Sequence, residues 1–136
     1  MAINVNIDNQ LALKYSFKIG GKNRELTFDD DCALEMNRVE FKVQKIVDKI
    51  DNLSEKDIES KSVDEQVKLV SESYKEIREA IMTFFDKYFG NGAGQEIYEY
   101  ANSSTRAMAT IFGKVSSYLN KVEVSNKKVT NFRNKK

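Results

Sequence analysis

An apolar series spaced alternately four and three positions apart dominates the middle of this 136-residue chain. Its members are Val63, Val67, Val70, Tyr74, Ile77, Ile81, Phe84 and Tyr88. This spacing places all of them along one side of an α-helix and is typical of helices that pack against other helices. Ser62 and Glu65 match the Ser-x-x-Glu capping box at a helix start, and Gly90 stands where a helix commonly ends. The sequence therefore predicts a helix over about 63–89.

The segment before residue 30 has the period of a β-hairpin. Apolar and polar residues alternate strictly over 11–19, which predicts a half-buried strand. Gly20 and Gly21 supply the positive φ of a tight reversal, and a shorter alternation through Leu26 and Phe28 follows. We therefore predict a hairpin over about 11–28. Because an isolated hairpin is marginally stable in water, we expect it to pack on helices or pair with another chain.

Two further helices are predicted on either side of the first. Three consecutive aspartates at 29–31 mark a helix start, and apolar residues recur every three or four positions over about 30–51. A third apolar face predicts a helix over about 94–123, interrupted at 102–105 by poor helix formers that mark a kink or an exit from the core. The predicted fold is mainly α: an N-terminal β-hairpin followed by three long helices, the last two forming an antiparallel helical hairpin.

The chain has the length of one domain, which we place at residues 1–124. Residues 125–136 carry five basic residues, no acidic residue and little apolar periodicity. A segment of this kind buries too little surface to offset the entropy of ordering it. We therefore predict that 125–136 is a flexible basic tail.

The composition excludes much of the usual chemistry of active sites. The chain has no histidine and a single cysteine, Cys32, so it lacks imidazole as a base or metal ligand and cannot form an internal disulfide. Cys32 lies on the apolar face of the first predicted helix, which favours a buried thiol. A net charge of +1 argues against a dedicated nucleic-acid binder. We predict that the protein is not an enzyme, and we assign no catalytic, cofactor-binding or metal-binding residue.

Four aromatic residues are candidate contacts for a protein partner. Phe85 and Phe89 belong to a dense aromatic group at the end of the second helix, where a core role is the simpler interpretation. Tyr98 and Tyr100 lie about 200° apart around a helix, so they do not both face one core. Tyrosine is common at protein interfaces, which makes this pair the better candidate.

Two segments of the chain resemble a known family. The hairpin LKYSFKIGGKNRELTFD and the segment FFDKYFGNGAGQEIYEY are similar to the small tail assembly chaperones and related tail proteins of Gram-positive siphophages and prophages. In that family a helix ending in an Asp-containing aromatic group meets a Phe/Leu-Gly-x-Gly turn, and the next helix opens near Ile or Phe. The matching elements are Phe85-Asp86, Phe89-Gly90-Asn91-Gly92 and Ile97-Tyr98. The resemblance covers roughly residues 10–120.

The resemblance implies a non-enzymatic chaperone that binds the tape-measure protein, keeps it soluble and recruits tail-tube subunits, without a cofactor. The first residues do not have the pattern of a signal peptide, and no apolar run reaches the length of a membrane span. We therefore expect a protein of the bacterial host's cytoplasm, with no membrane or nucleic-acid partner. The hairpin edges and the apolar series predict a homo-oligomer. The alternatives are a structural tail-completion protein of the virion and a small dimeric helical regulator.

Overall fold

The computed structural model describes residues 2–5, 14–52 and 62–134, with side chains in the last range as far as Lys121. These ranges contain a two-stranded sheet and four helices. The strands are β1 (Lys14–Ile19) and β2 (Lys22–Thr27), and the helices are α1 (Asp30–Asp51), α2 (Val63–Phe89), α3 (Ala93–Tyr100) and α4 (Thr105–Asn134). The predicted mainly α fold with an N-terminal β-hairpin is confirmed. None of the helices in the described ranges is both long and apolar enough to cross a membrane.

The hairpin follows the predicted alternation. The strands are antiparallel, with Tyr15 opposite Leu26 and Phe17 opposite Arg24, and the glycine turn between them has φ values of 64° and 81°. The face that carries Tyr15 and Phe17 packs against the helices, while the alternate lysines and serine are exposed. The predicted beginning of the first strand, residues 11–13, lies outside the described residues.

Helix α2 forms the centre of the molecule, and α1 packs on it in the opposite direction. At one end the Tyr88 hydroxyl donates to the Asp31 carboxylate over 2.5 Å. At the other end Ile50 and Tyr74 line the same cavity. Ile81, in the middle of α2, is completely buried. Packing against neighbouring helices therefore accounts for the part of the apolar series from Ile77 onward.

Two of the three predicted helix starts are capped by the expected side chains. The Asp29 carboxylate accepts a hydrogen bond from the Cys32 amide over 2.8 Å at the start of α1. The Ser62 hydroxyl accepts one from the Glu65 amide over 3.1 Å at the start of α2. In each case the side chain satisfies an amide that has no partner within the helix.

The helix predicted over 94–123 is two helices, and this corrects the predicted pairing. Helix α3 runs antiparallel to α2, because Gly94 lies against Met82 whereas the Tyr98 ring lies under the Arg78 guanidinium. The chain then reverses at 101–104. The expected antiparallel hairpin is therefore formed by α2 with the eight-residue α3.

Helix α4 returns parallel to α2 after this reversal. Thr105, at its start, accepts a hydrogen bond from Arg78 over 3.3 Å, and seven residues later Phe112 packs edge-on against Phe84, with 5.4 Å between ring centroids. The reversal has a local cause, since the polar residues at 102–104 are poor helix formers and the Ser104 hydroxyl caps α4 by accepting from the Ala107 amide.

Helix α4 continues to Asn134 and so includes most of the segment 125–136. The sequence predicts a flexible tail there. A helical backbone does not exclude motion of this segment relative to the body, and the flexibility of the tail stays a prediction.

The core is shared by the helices and the hairpin. Its largest completely buried side chains are Phe85, Met36, Ile81, Ile97, Met108 and Cys32. The hairpin closes one end of this core through an aromatic cluster, in which Tyr15 and Phe17 both pack edge-on against Tyr118 of α4. Aromatic pairs in this geometry add to the free energy gained from burial alone. The hairpin is thus held by packing against the helices, as the marginal stability of an isolated hairpin requires.

Candidate functional site

The apolar series of α2 is buried along only part of its length. Ile77 and Ile81 are 6% and 0% exposed, whereas Val63 and Val67 are 73% and 61% exposed. The reason lies in the neighbouring helices, which pack against the C-terminal part of α2 and leave its first turns uncovered. We call the residues Val63, Val67, Val70 and Tyr74 the open seam.

Two recesses meet at the open seam. The first is a cavity of about 270 Å³ at the junction of α1, α2 and α4. Its lining is mainly apolar and includes Val47, Ile50, Tyr74, Ile77 and Ala109. The second recess runs along α2 beside Val67, Val70 and Tyr74. Tyr74 lines both recesses, and we call the two recesses together the apolar track.

Polar contacts fix the side chain at the middle of this track. The Arg106 guanidinium donates a hydrogen bond to the Tyr74 hydroxyl over 2.8 Å and lies over the ring, 5.8 Å from its centroid. The neighbouring Arg78 donates to the Thr105 hydroxyl. Tyr74 is therefore held in one orientation, with its ring available to the track and its hydroxyl satisfied.

The structure separates the four aromatic residues predicted as partner contacts. Phe85 is completely buried, so it is not accessible to a partner in this conformation. Phe89 is partly buried and stacks on Phe85 with 5.5 Å between ring centroids, and Tyr98 is partly buried beneath Arg78. Only Tyr100 among the four has a mostly exposed side chain, at 59%. Its ring lies against the turn residue Gly20. The four do not form one surface.

Sequence reasoning missed a second apolar patch, on the outer side of α1. Leu34 and Phe41 are 65% and 72% exposed and lie two turns apart on this helix. Both fall outside the series of buried apolar residues that begins with Cys32 and Met36. This offset from the main apolar face was visible in the sequence and was the available signal.

The segment that resembles the tail proteins determines how α3 packs against α2. The Asp86 carboxylate accepts a hydrogen bond from the Gly94 amide over 2.8 Å, and so caps α3 from the side of α2. Gly92 has a φ of 88°, in the left-handed region where glycine is favoured. Ile97 then places its side chain in the core, where it is completely buried. The motif therefore sets the angle at which the chain returns across α2.

The ionisable groups with perturbed pKa values join elements of the fold. Glu96 accepts hydrogen bonds from Lys22 and Arg24 over 2.9 and 3.1 Å, and these cations lower the pKa of its carboxyl group. The hydrogen bond from Tyr88 lowers the pKa of Asp31. Burial raises the pKa of the Cys32 thiol to about 11. Across the described part of the chain, no three Cys, Asp or Glu side chains are grouped so that they could hold a metal ion.

The chain matches no protein-family model, and no curated protein or solved structure is detectably similar to it.

Proposed function

We propose that this chain is a non-enzymatic phage tail assembly chaperone that binds the tape-measure protein and recruits tail-tube subunits. The observation that carries the proposal is the open seam. It is an apolar helix face that remains exposed and continues into a cavity, while the rest of the same face forms the core. The resemblance of the hairpin and of the 84–100 segment to tail proteins supplies the identity of the client.

The open seam has the spacing that an α-helical client requires. Its residues repeat at intervals of four, three and four, so that the side chains of a second helix can insert between them. Gln66 and Ser71, which line the recess beside the seam, carry no charge. Charged flanking positions are what usually restrict a helix to one partner. A seam without them at these two positions suits a chaperone that covers many segments of one long helical client.

Recruitment of tail-tube subunits needs a second surface, and the patch formed by Leu34 and Phe41 supplies one. These two side chains project from α1 on the side away from the buried residues Met36 and Val39. We assign the open seam to the tape-measure protein and the α1 patch to the tail-tube protein.

The test is co-expression with the tape-measure and tail-tube proteins encoded in the same gene cluster. Val67→Asp places a charge in the open seam, and we expect the tape-measure protein to lose solubility and to stop co-purifying. Lys68→Asp is the matched control, since it introduces the same carboxylate at the adjacent exposed position. Leu34→Asp with Phe41→Asp should release the tail-tube protein alone. Retention of the tape-measure protein by Val67→Asp would contradict the assignment.

The composition of purified phage particles separates the chaperone from a structural tail protein. A chaperone leaves the finished tail, so we expect the chain in assembly intermediates and not in mature particles. Its presence in mature tails at a fixed copy number would instead support the tail-completion alternative.

A further inference from the structure

The reversal between α3 and α4 has a backbone conformation that is costly for residues with side chains. Asn102 and Ser103 have φ values of 58° and 56°. The amides of Ser103 and Asn102 donate to the carbonyls of Tyr98 and Glu99, each over 2.9 Å, in the pattern of a Schellman helix end. Asn102 therefore occupies the position that glycine usually takes, and Ser103 extends the left-handed conformation by one more residue. We call residues 101–104 the hinge. Its backbone is strained at Asn102 and Ser103, and a helical conformation would release this strain.

The spacing of one helical face continues through this reversal, with polar Ser104 at one position among otherwise mostly apolar residues. Steps of four and three residues connect Ile97, Ala101, Ser104, Met108, Ile111, Val115 and Tyr118. A continuous helix would keep these residues on one face, whereas the reversal divides them between two helices. The sequence thus supports a second conformation in which α3 and α4 form one straight helix.

A straight helix is incompatible with both segments packing on the same copy of α2. Helix α3 is antiparallel to α2 and α4 is parallel to it, so straightening carries α4 beyond the end of its own α2. Met108, Phe112 and Val115 would then leave a core in which they are 0%, 4% and 3% exposed. Such a chain needs a replacement that fits the vacated surface against Phe84 and Phe85. The α4 helix of a second copy has that shape.

We propose that two copies of this chain exchange α4 and form a two-fold dimer, in which α3 and α4 join into one helix through residues 101–104. The pairs Arg78–Thr105 and Tyr74–Arg106 then re-form between the two chains, and the core contacts of α4 are retained. The strain at Asn102 and Ser103 is released in both chains. The open seam lies at the hinge end of α2, so the two seams flank the two-fold axis.

Opposite substitutions at one hinge residue test the exchange. Ser103→Gly relieves the positive φ and disfavours a continuous helix, so it favours the monomer. Ser103→Ala keeps the cost of the positive φ and favours a continuous helix, so it favours the dimer. Because the dimer contains two hinges, we expect the dissociation constants of these two variants to differ by on the order of a hundredfold to ten-thousandfold. Ser117→Gly and Ser117→Ala are the control pair, since Ser117 is exposed and helical in both conformations.

We measure the dimer fraction by light scattering after refolding all proteins at the same high concentration. The fraction should be highest for Ser103→Ala, intermediate for the wild type and lowest for Ser103→Gly. Equal behaviour of the two hinge variants, or a monomeric Ser103→Ala at every concentration, would overturn the proposal.

An intrachain distance distinguishes exchange from simple association. In the exchanged dimer α3 and α4 form one straight helix. Spin labels on Gln95→Cys and Thr110→Cys would then be about 22 Å apart along its axis, from a rise of about 1.5 Å per residue. Cys32 is buried, which directs labelling to the introduced thiols. Doubly labelled chains are diluted in unlabelled protein, so that only distances within one chain are measured. The distance should be longer in the Ser103→Ala dimer than in the Ser103→Gly monomer. The same distance in both would refute the exchange.

Discussion

Replacing Gly94 with alanine tests how α3 is seated on α2. Gly94 is buried, and a methyl group on its Cα would lie 2.6 Å from the carbonyl oxygen of Met82 and 2.8 Å from its Cα and Cβ. Two of these three atoms belong to the backbone, so a side-chain rotation cannot relieve the overlap. Helix α3 must move away from α2, and this movement stretches the hydrogen bond from the Gly94 amide to Asp86.

The expected loss of stability combines these effects. Overpacking a well-packed site costs about 1–3 kcal/mol, and a hydrogen bond to a charged group contributes about 1.5–3 kcal/mol, of which only part is lost. The higher helix propensity of alanine offsets at most about 1 kcal/mol. We therefore expect the free energy of unfolding to fall by about 2–4 kcal/mol. For a chain of this size the Tm should fall by roughly 8–15 °C.

The same substitution at Gly113 is the control. Gly113 is exposed within α4, and a methyl group there would have no neighbouring atom within 4 Å. Gly113→Ala should raise the free energy of unfolding by up to about 1 kcal/mol through helix propensity. Far-UV circular dichroism during heating and urea titration measures both variants. A Gly94→Ala protein as stable as the wild type would refute the close packing of α3 on α2.

Three further predictions concern the core, the hairpin and the thiol. Ile81→Ala should lower the free energy of unfolding by about 2–5 kcal/mol because Ile81 is completely buried, whereas Val67→Ala should lower it little. Equal losses in urea titration would contradict the division of α2 into a buried part and an open seam. The pKa of Glu96 is held below its ordinary 4.5 by Lys22 and Arg24, so this carboxylate stabilises the fold above pH 4.5 and its contribution is lost as the pH falls through the lowered pKa. Glu96→Gln should therefore lower the Tm at neutral pH and leave it unchanged in acid. A difference in Tm that persists in acid would show that the charge of the Glu96 carboxylate is not the source of the stabilisation. Cys32 should react with a thiol reagent only as fast as the chain opens, because its side chain is completely buried, and burial also raises the pKa of the thiol to about 11. Rapid reaction without denaturant would show that the thiol is accessible.

Local signals in the sequence were sufficient for much of the fold. Asp29 and Ser62 cap the two helices that they were expected to start, and the alternation around Tyr15 and Phe17 correctly assigned the inner face of the hairpin. These features depend on residues a few positions apart, so the sequence alone contains the information. The interruption of the third predicted helix at 102–105 was also predicted from local signals, but the full reversal of the chain was not, because the helical spacing continues across Asn102 and Ser103.

The candidate site was harder to predict because exposure is a tertiary property. Val63 and Ile77 occupy equivalent positions in one apolar series, yet one is mostly exposed and the other is buried. The lengths and directions of α1, α3 and α4 determine how far along α2 the apolar side chains are buried. Arg24 gives a second example. It occupies an inward position in the hairpin, where a basic residue appears out of place, but it donates to the Ile19 carbonyl and to Glu96. Glu96 is 72 residues further along the chain.

That separation has a consequence for the order in which the chain acquires its structure during synthesis. At about 5–20 residues per second, the ribosome completes the hairpin several seconds before it makes the helices against which the hairpin packs. During this interval the two strands have neither the Glu96 carboxylate nor the Tyr118 ring to hold them. The hairpin is translated before the helices that hold it, and it is therefore among the last of the described elements to reach its final position.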